Sequence, residues 1–257
     1  MKVIIPMSGL GSRFIAAGYK DPKPLIKVHG KPIIEWVVKM FAPDDQFVFI
    51  CREEHIQNTN LAAELKRIKP EAEIISIKNH KRGPVYALSQ IFDKIDNSEP
   101  ILISYCDYYM RWDYEGFKKA VLKSEIDGSV PCYHGFHPNL LPKKNLYAGC
   151  RVDENNFLLE IREKFSFTED KSQSLHSPGV YFFKNGEVLK KYCQMALDED
   201  LSLNSEYYVS LVYQLMLRDN LKIYVHDKID YFCQWGTPQD LQEYEFWMKQ
   251  VKGWQHL

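Results

Sequence analysis

The sequence predicts an α/β fold: a mixed, mostly parallel sheet covered by helices, with a second half richer in strands. Three observations predict it. Short apolar runs at 2–6, 46–51, 74–77 and 100–105 alternate with helical patterns at 31–41, 56–68 and 84–95, which is the pattern of βαβ crossovers. The first run empties into a polar loop with two glycines, Ser8-Gly9-Leu10-Gly11-Ser12-Arg13-Phe14, and parallel sheets bind ligands beyond the carboxyl ends of their strands. The 14 Phe, 5 Trp and 16 Tyr residues supply a large core and exclude disorder as the main state.

Each element has its own signal. Residues 2–6 are a short apolar strand. In 31–41, Pro32 suits a first helical turn and Ile33, Ile34, Val37 and Met40 share one face. Strand 46–51, helix 56–68 and strand 74–77 follow. Helix 84–95 starts on Pro84 and carries the stripe Val85, Leu88, Ile91, Phe92 and Ile95. Strand 100–105 runs straight into Cys106-Asp107. In the second half, 129–134, 147–152, 157–162 and 180–184 read as strands, with Asn155-Asn156 as a turn. Helices are expected at 187–197 and 206–217 and a last strand at 222–226. Thr237 caps a final helix that opens on Pro238 and lines up Leu241, Tyr244, Met248 and Val251. No linker interrupts the chain, so 1–257 is expected to be a single domain with parts at 1–135, 136–236 and 237–257.

The formal net charge of −1 argues against a nucleic-acid partner, which needs a basic field to meet phosphates. No apolar run approaches the roughly 20 residues a bilayer-spanning helix needs, and the first residues lack a signal peptide's apolar stretch. The expectation is a soluble, cytoplasmic protein with neither nucleic acid nor membrane as partner. The cysteines at 51, 106, 132, 150, 193 and 233 form no CxxC pair and are expected to be free and buried. Cys132, His134 and His137 are metal-ligand types at tight spacing, but Gly135 and Pro138 break the segment and no fourth ligand is near.

The loop at 8–14 carries the chemistry. Gly9 and Gly11 let backbone N–H groups approach an anion, and Arg13 adds a planar cationic fork suited to phosphate. Pro22 and Pro24 then frame Lys23. Phe14 stands where a dinucleotide fingerprint has its third glycine, and no Walker A pattern is present.

Gly9-Leu10-Gly11-Ser12-Arg13-Phe14 followed by Pro22-Lys23-Pro24-Leu25 resembles the N-terminal signature of the sugar-phosphate nucleotidyltransferases, the NDP-sugar pyrophosphorylases. Lys81-Arg82-Gly83-Pro84 is similar to that family's second glycine turn, and the strand ending in Asp107 to its metal-binding strand. Tyr147-Ala148-Gly149, Glu163-Lys164, Pro178-Gly179-Val180 and Trp235-Gly236-Thr237-Pro238 resemble its later motifs in the right order. Gly135-Phe136-His137-Pro138 and Tyr207-Tyr208-Val209-Ser210 resemble a capsule and surface-polysaccharide branch.

The resemblance implies a Rossmann-like sheet of nucleotidyltransferase type. It also implies the reaction NTP + sugar 1-phosphate → NDP-sugar + pyrophosphate, by in-line attack on the α-phosphorus. It assigns the NTP to 1–135, with Ser8, Gly9, Leu10, Gly11, Ser12, Arg13, Lys23 and Gly83, and the sugar phosphate to 136–236, with Tyr147, Gly149, Glu163, Lys164 and Gly179. Arg13, Lys23 and Asp107 become the catalytic set, with Mg²⁺ or Mn²⁺ on Asp107. Read without it, an Asp after a strand such as Asp107 is more often a turn or cap residue, Glu163-Lys164 a solvated pair, and Tyr147 and Gly179 packing residues.

One position departs from the family. Many relatives carry a second metal-binding aspartate where this chain has Gln234, a poorer Mg²⁺ ligand, so either Asp107 and the nucleotide phosphates hold the metal with water or another carboxylate such as Asp230 helps. A cytidylyltransferase acting on a polyol or amino-alcohol phosphate, and a catalytically silent nucleotide-binding paralogue, are the competing readings. The base, the acceptor and the oligomeric state, a homo-oligomer included, stay open.

Overall fold

The computed structural model describes residues 1–254 and is built on a seven-stranded sheet. The chain runs β1 (Lys2–Met7), α1 (Ser12–Ala16), β2 (Lys27–Val28), β3 (Lys31–Pro32), α2 (Ile33–Val38), β4 (Gln46–Arg52), α3 (Glu53–Asn58), α4 (Leu61–Ile68), β5 (Glu73–Ile77), α5 (Gly83–Ser89) and β6 (Ile101–Ser104). It continues through β7 (Tyr108–Trp112), α6 (Tyr114–Lys123), β8 (Gly128–Pro131), β9 (Ala148–Val152), β10 (Leu158–Arg162), β11 (Leu175–Ser177), β12 (Val180–Phe183), α7 (Gly186–Asp198), α8 (Val209–Arg218), β13 (Ile223–His226), β14 (Ile229–Gln234) and α9 (Pro238–Trp254).

The main sheet has the order β13-β8-β12-β6-β1-β4-β5. Strands β6, β1, β4 and β5 are parallel, as are β13 and β8, while β12 runs antiparallel between β6 and β8. The sheet is therefore mixed and mostly parallel, as the alternation predicts. Its central strands are buried on both faces. Val3 and Ile5 enter one core with Leu25, Val37 and Phe117, whereas Ile4 enters the other with Val85, Leu88 and Leu189, the two-residue period of a strand. From β1 the chain builds outward through β4 and β5, then returns to place β6 on the other side of β1. The order reverses at β1 and β6, and the loops leaving their carboxyl ends, 8–11 and 105–107, enclose the crevice there. Among the described residues no helix is long and apolar enough to cross a membrane.

Several boundaries differ from the sequence expectation, each for a local reason. The helix expected at 31–41 begins at Ile33, because Lys31-Pro32 pairs with Lys27-Val28. The helix expected at 56–68 is two helices. Thr59 is extended between them (φ −140°), and its hydroxyl donates to His55 O at 2.6 Å and accepts from Leu61 N at 3.2 Å. The helix expected at 84–95 ends at Ser89, with a separate 3₁₀ turn at Phe92–Lys94. The helix expected at 206–217 begins at Val209, because Glu206 is bridged to Leu203. Periodicity alone missed α6, β7, β11 and β14. The last omission matters: β14 pairs antiparallel with β7, Gln234 opposite Tyr108, and Trp235 N donates to Asp107 O at 2.8 Å.

Gly83 ties the first half to the second. It has φ +82°, and a Cβ there would stand 2.8 Å from Tyr207 N and 2.9 Å from Tyr207 O. Those atoms are already engaged, Tyr207 N donating to Arg82 O at 2.9 Å and Val85 N donating to Tyr207 O at 3.1 Å. Backbone cannot yield as a side-chain tip can. Gly83→Ala is expected to cost about 1–3 kcal/mol of stability. Gly9→Ala, with nothing within 4 Å of the added carbon, should leave the Tm near that of the parent. Thermal unfolding of the two variants checks this, and equal Tm values would show that the contact gives way.

Candidate active site

A cavity of about 660 Å³ opens at the carboxyl ends of β1 and β6. Ser8 to Phe14, Lys23, Gly83, Asp107 and Lys164 all line it, so residues far apart in the chain meet there. Gly11 (φ +70°) turns the loop into α1. Among the described residues the amides of Gly9, Leu10 and Gly11 donate to no protein acceptor. A cavity wall with free N–H donors is suited to an anion. Arg13 is exposed and, among the described residues, forms no ion pair, while its neighbour Phe14 is buried and packs edge-on against Tyr19 at 5.1 Å, anchoring the loop.

Lys23 sits in a 3₁₀ turn, Lys23–Leu25, entered from Pro22 at φ −54° and closed by Leu25 N donating to Pro22 O at 2.8 Å. Its Nζ lies 2.8 Å from Asp107 Oδ2, with each side chain 19% exposed. Burial pulls the Lys23 ammonium down, but Asp107 and the Cys106 thiol more than offset this and hold it above the usual lysine value. Lys23 is therefore a permanent cation. Arg13, Lys23, Lys81 and Lys164 face the cavity against the carboxylates Asp107 and Glu206, a positive balance that favours polyanionic ligands.

The sequence assigns no individual role to the wall residues His80, Tyr105, Glu206 and Tyr208, the last of them quoted only within a resembling motif. His80 Nδ1 accepts from Arg82 N at 3.2 Å, so Nε2 carries the proton toward Ser8 Oγ, 2.9 Å away. Burial first, then Arg52 and Arg82, depress its pKa and keep the ring neutral. Lys164 adopts φ +52° and donates to Tyr208 Oη at 2.8 Å. Periodicity carries no signal for the Ser8–His80 and Lys164–Tyr208 contacts, since each joins distant segments.

Other expected residues stand behind the wall. Tyr147 is buried and takes a 3.1 Å hydrogen bond from Asn139 Nδ2, in a small aromatic pocket with His137, His176 and Phe232. Gly149 lies on β9, where an added Cβ would meet Phe165 O at 2.4 Å. Gly179 seats the Tyr105 ring, whose Cδ2 would be 2.7 Å from such a carbon. Glu163 accepts a hydrogen bond from Ser210 Oγ and does not line the cavity. Burial, with Glu206 adding, pushes its carboxyl up, and Ser210 and Lys164 only partly offset this.

Asp107 Oδ1 has no protein partner among the described residues, and no three His, Cys, Asp or Glu side chains converge there or elsewhere among them, the 132–137 segment included. Gln234 is adjacent: a Cβ on Gly236 would be 2.4 Å from Gln234 Nε2 and 3.2 Å from Asp107 Oδ2. Asp230 lies 3.6 Å from Arg111 on the exposed ribbon and does not line the cavity, so it supplies no second carboxylate. One free carboxylate oxygen fits a Mg²⁺ or Mn²⁺ ion of the kind that takes its other ligands from phosphates and water. All six cysteines are free and buried.

Residues 3–156 match the MobA-like NTP transferase domain. The bifunctional protein GlmU of Thermosipho africanus is 23% identical over 231 residues, covering 90% of this chain and 46% of that protein. The chain thus spans about half the length of the curated relatives it matches. Among solved structures, the nucleoside-diphosphate-sugar pyrophosphorylase of Vibrio cholerae superposes with a TM-score of 0.76 at 19% identity, covering 94% of this chain and 98% of that one. The inositol-1-phosphate CTP transferase of T. maritima gives a TM-score of 0.67 at 18% identity, covering 93% and 90%.

The raised Glu163 carboxyl has a stability consequence. The unfolded chain releases this proton more readily than the folded one, so Glu163 costs stability once the pH rises through its unfolded value, and that cost is absent in acid. Glu163→Gln keeps an acceptor for Ser210 and removes the buried charge. It should raise the Tm at pH 8, with the gain disappearing near pH 4. A Tm gain that does not change with pH would show that Glu163 is not held back by burial.

Proposed function

The chain belongs to the MobA-like NTP transferase domain family, and on that premise we propose that it joins an NTP to a sugar 1-phosphate, releasing pyrophosphate. The observation that carries this reading is the convergence of the 8–13 loop, the Lys23–Asp107 pair and Lys164 on one cavity at the switch point of the sheet. Transfer between two polyanions needs positioned cations more than a covalent nucleophile. The free amides of the loop and Arg13 hold the triphosphate and the departing pyrophosphate. Lys23, protonated and framed by prolines, meets the α-phosphate, where charge accumulates. Asp107 is the carboxylate that would hold Mg²⁺ or Mn²⁺, which when bound neutralises phosphate oxygens. Gln234 can offer that ion only an amide oxygen. Lys164 takes the acceptor phosphate and orients its oxygen for attack.

Transfer to a polyol or amino-alcohol phosphate is the second reading. It uses the same nucleotide machinery and is supported by Glu206, a carboxylate in the wall suited to hydroxyl or ammonium groups. The motif resemblance at 135–138 and 207–210 supports a role in capsule or surface-polysaccharide synthesis. The presence of Arg13, Lys23 and Asp107 in one cavity speaks against a silent paralogue.

The test is a matrix of four NTPs against phosphorylated acceptors, scored by pyrophosphate release. Arg13→Ala and Lys23→Ala should each lower turnover about 10²–10³-fold with the fold intact by circular dichroism, and near-normal turnover would remove their assigned roles. EDTA or Asp107→Asn should abolish release, whereas Gln234→Asp should keep or strengthen metal dependence. Lys164→Ala should raise the acceptor KM and lower kcat while NTP affinity holds. If NTP affinity falls instead, Lys164 belongs to the nucleotide.

A further inference from the structure

Beside Lys164 the cavity wall holds a directed chain of side chains that phosphate handling alone does not require. Lys164 Nζ donates to Tyr208 Oη at 2.8 Å and lies 4.6 Å from the ring centroid. The phenol in turn donates its O–H to Glu206 Oε2. The direction is set by chemistry, since an ammonium only donates and a carboxylate only accepts. Burial first, then the Glu206 charge, push the Tyr208 phenol far above its ordinary value, so it stays protonated and the chain keeps its polarity.

Both ends are unspent. Lys164 has further N–H donors, and Glu206 Oε1 has no partner among the described residues. A carboxylate in a wall that otherwise favours anions is costly unless a donor group meets it. The segment bearing it is also held in place. Leu203 and Glu206 exchange backbone hydrogen bonds of 3.0 and 3.1 Å around Asn204 (φ +54°) and Ser205 (φ +62°). Two consecutive left-handed residues that are not glycine persist only where the surroundings over-determine them, and here Tyr207 is clamped to Arg82 and Val85.

We propose that Lys164, Tyr208 and Glu206 read the acceptor as one unit. Lys164 takes its phosphate, Glu206 accepts a hydrogen bond from a hydroxyl or ammonium elsewhere on the same molecule, and Tyr208 is the positioning residue between them. The inference rests on this cavity's reading as a nucleotidyltransferase site. It narrows the acceptor to phosphate monoesters that carry a second, hydrogen-bond-donating group, and it gives the acceptor-side carboxylate to Glu206 in place of Glu163.

The test is calorimetric binding of glucose 1-phosphate and O-phosphoethanolamine to the full chain loaded with a non-hydrolysable NTP analogue. At least one probe should bind the parent. Tyr208→Phe keeps the ring under Lys164 and removes the hydroxyl, and should weaken that probe about tenfold or more, with NTP affinity within about twofold. Glu206→Gln separates the two donor sources. An ammonium donor loses its ion pair and weakens about tenfold or more, while a hydroxyl donor weakens only a few-fold. Methyl phosphate, which lacks a second donor, should bind the parent and Glu206→Gln alike. Failure of both probes to bind the parent overturns the inference, as does unchanged probe affinity in both variants, or an equal loss of NTP affinity. Probe binding that follows the expected pattern without pyrophosphate release from any NTP would instead defeat the proposed reaction and leave the reader unit standing.

Discussion

The Lys23–Asp107 ion pair joins the 3₁₀ turn beyond α1 to the loop that leaves β6, and both residues line the cavity. Its partners are 84 residues apart and 2.8 Å from each other. The pair is shielded enough to be oriented, yet reachable by a ligand. Proline on either side of Lys23 limits the turn that presents the lysine, and β6 ends just before Asp107, so both charges are delivered by stiff segments. Preorganisation of this kind lets a fixed cation act without reorganising as charge develops. A lone surface pair would contribute little; this one matters because of where it stands.

A second constraint holds the two halves in register. Gly83 lets the start of α5 press against the backbone of Tyr207, and the same short segment carries Glu206 and Tyr208 into the cavity. The turn at Gly83 and the wall at 206–208 are therefore not independently placed. The β7–β14 ribbon acts similarly on the other side, carrying Trp235 and Gly236 up to Asp107. Both of these walls are braced by backbone contacts between distant segments.

Much of the fold was legible because its signals are local. Apolar runs marked β1, β4, β5 and β6; β1, β4 and β6 lie in the main sheet where burial on both faces demands such a run, while β5 is its partly exposed edge. Phosphate-loop chemistry was legible for the same reason: glycine, arginine and proline-framed lysine act through the backbone they sit in. What escaped was short or cooperative. Thr59 splits a helix by a hydrogen bond that periodicity does not count, and β7, β11 and β14 exist only because partners lie beside them.

The residues alone specified the sheet and the glycine loop with Arg13 and the proline-framed Lys23, since strand pattern, turn chemistry and charge type are properties of short stretches, whereas Asp107 entered only through the family resemblance. Tertiary structure alone decided which groups of the second half face the cavity. Glu163 and Glu206 are both carboxylates beside polar neighbours in the sequence, yet one is spent on Ser210 behind the wall and the other reaches the cavity through a turn clamped to Gly83. Tyr147 and Tyr208 divide the same way, one into an aromatic pocket and one beneath Lys164. The physical reason is that burial and hydrogen-bond partnership come from contacts between segments far apart in the chain, which no local pattern encodes.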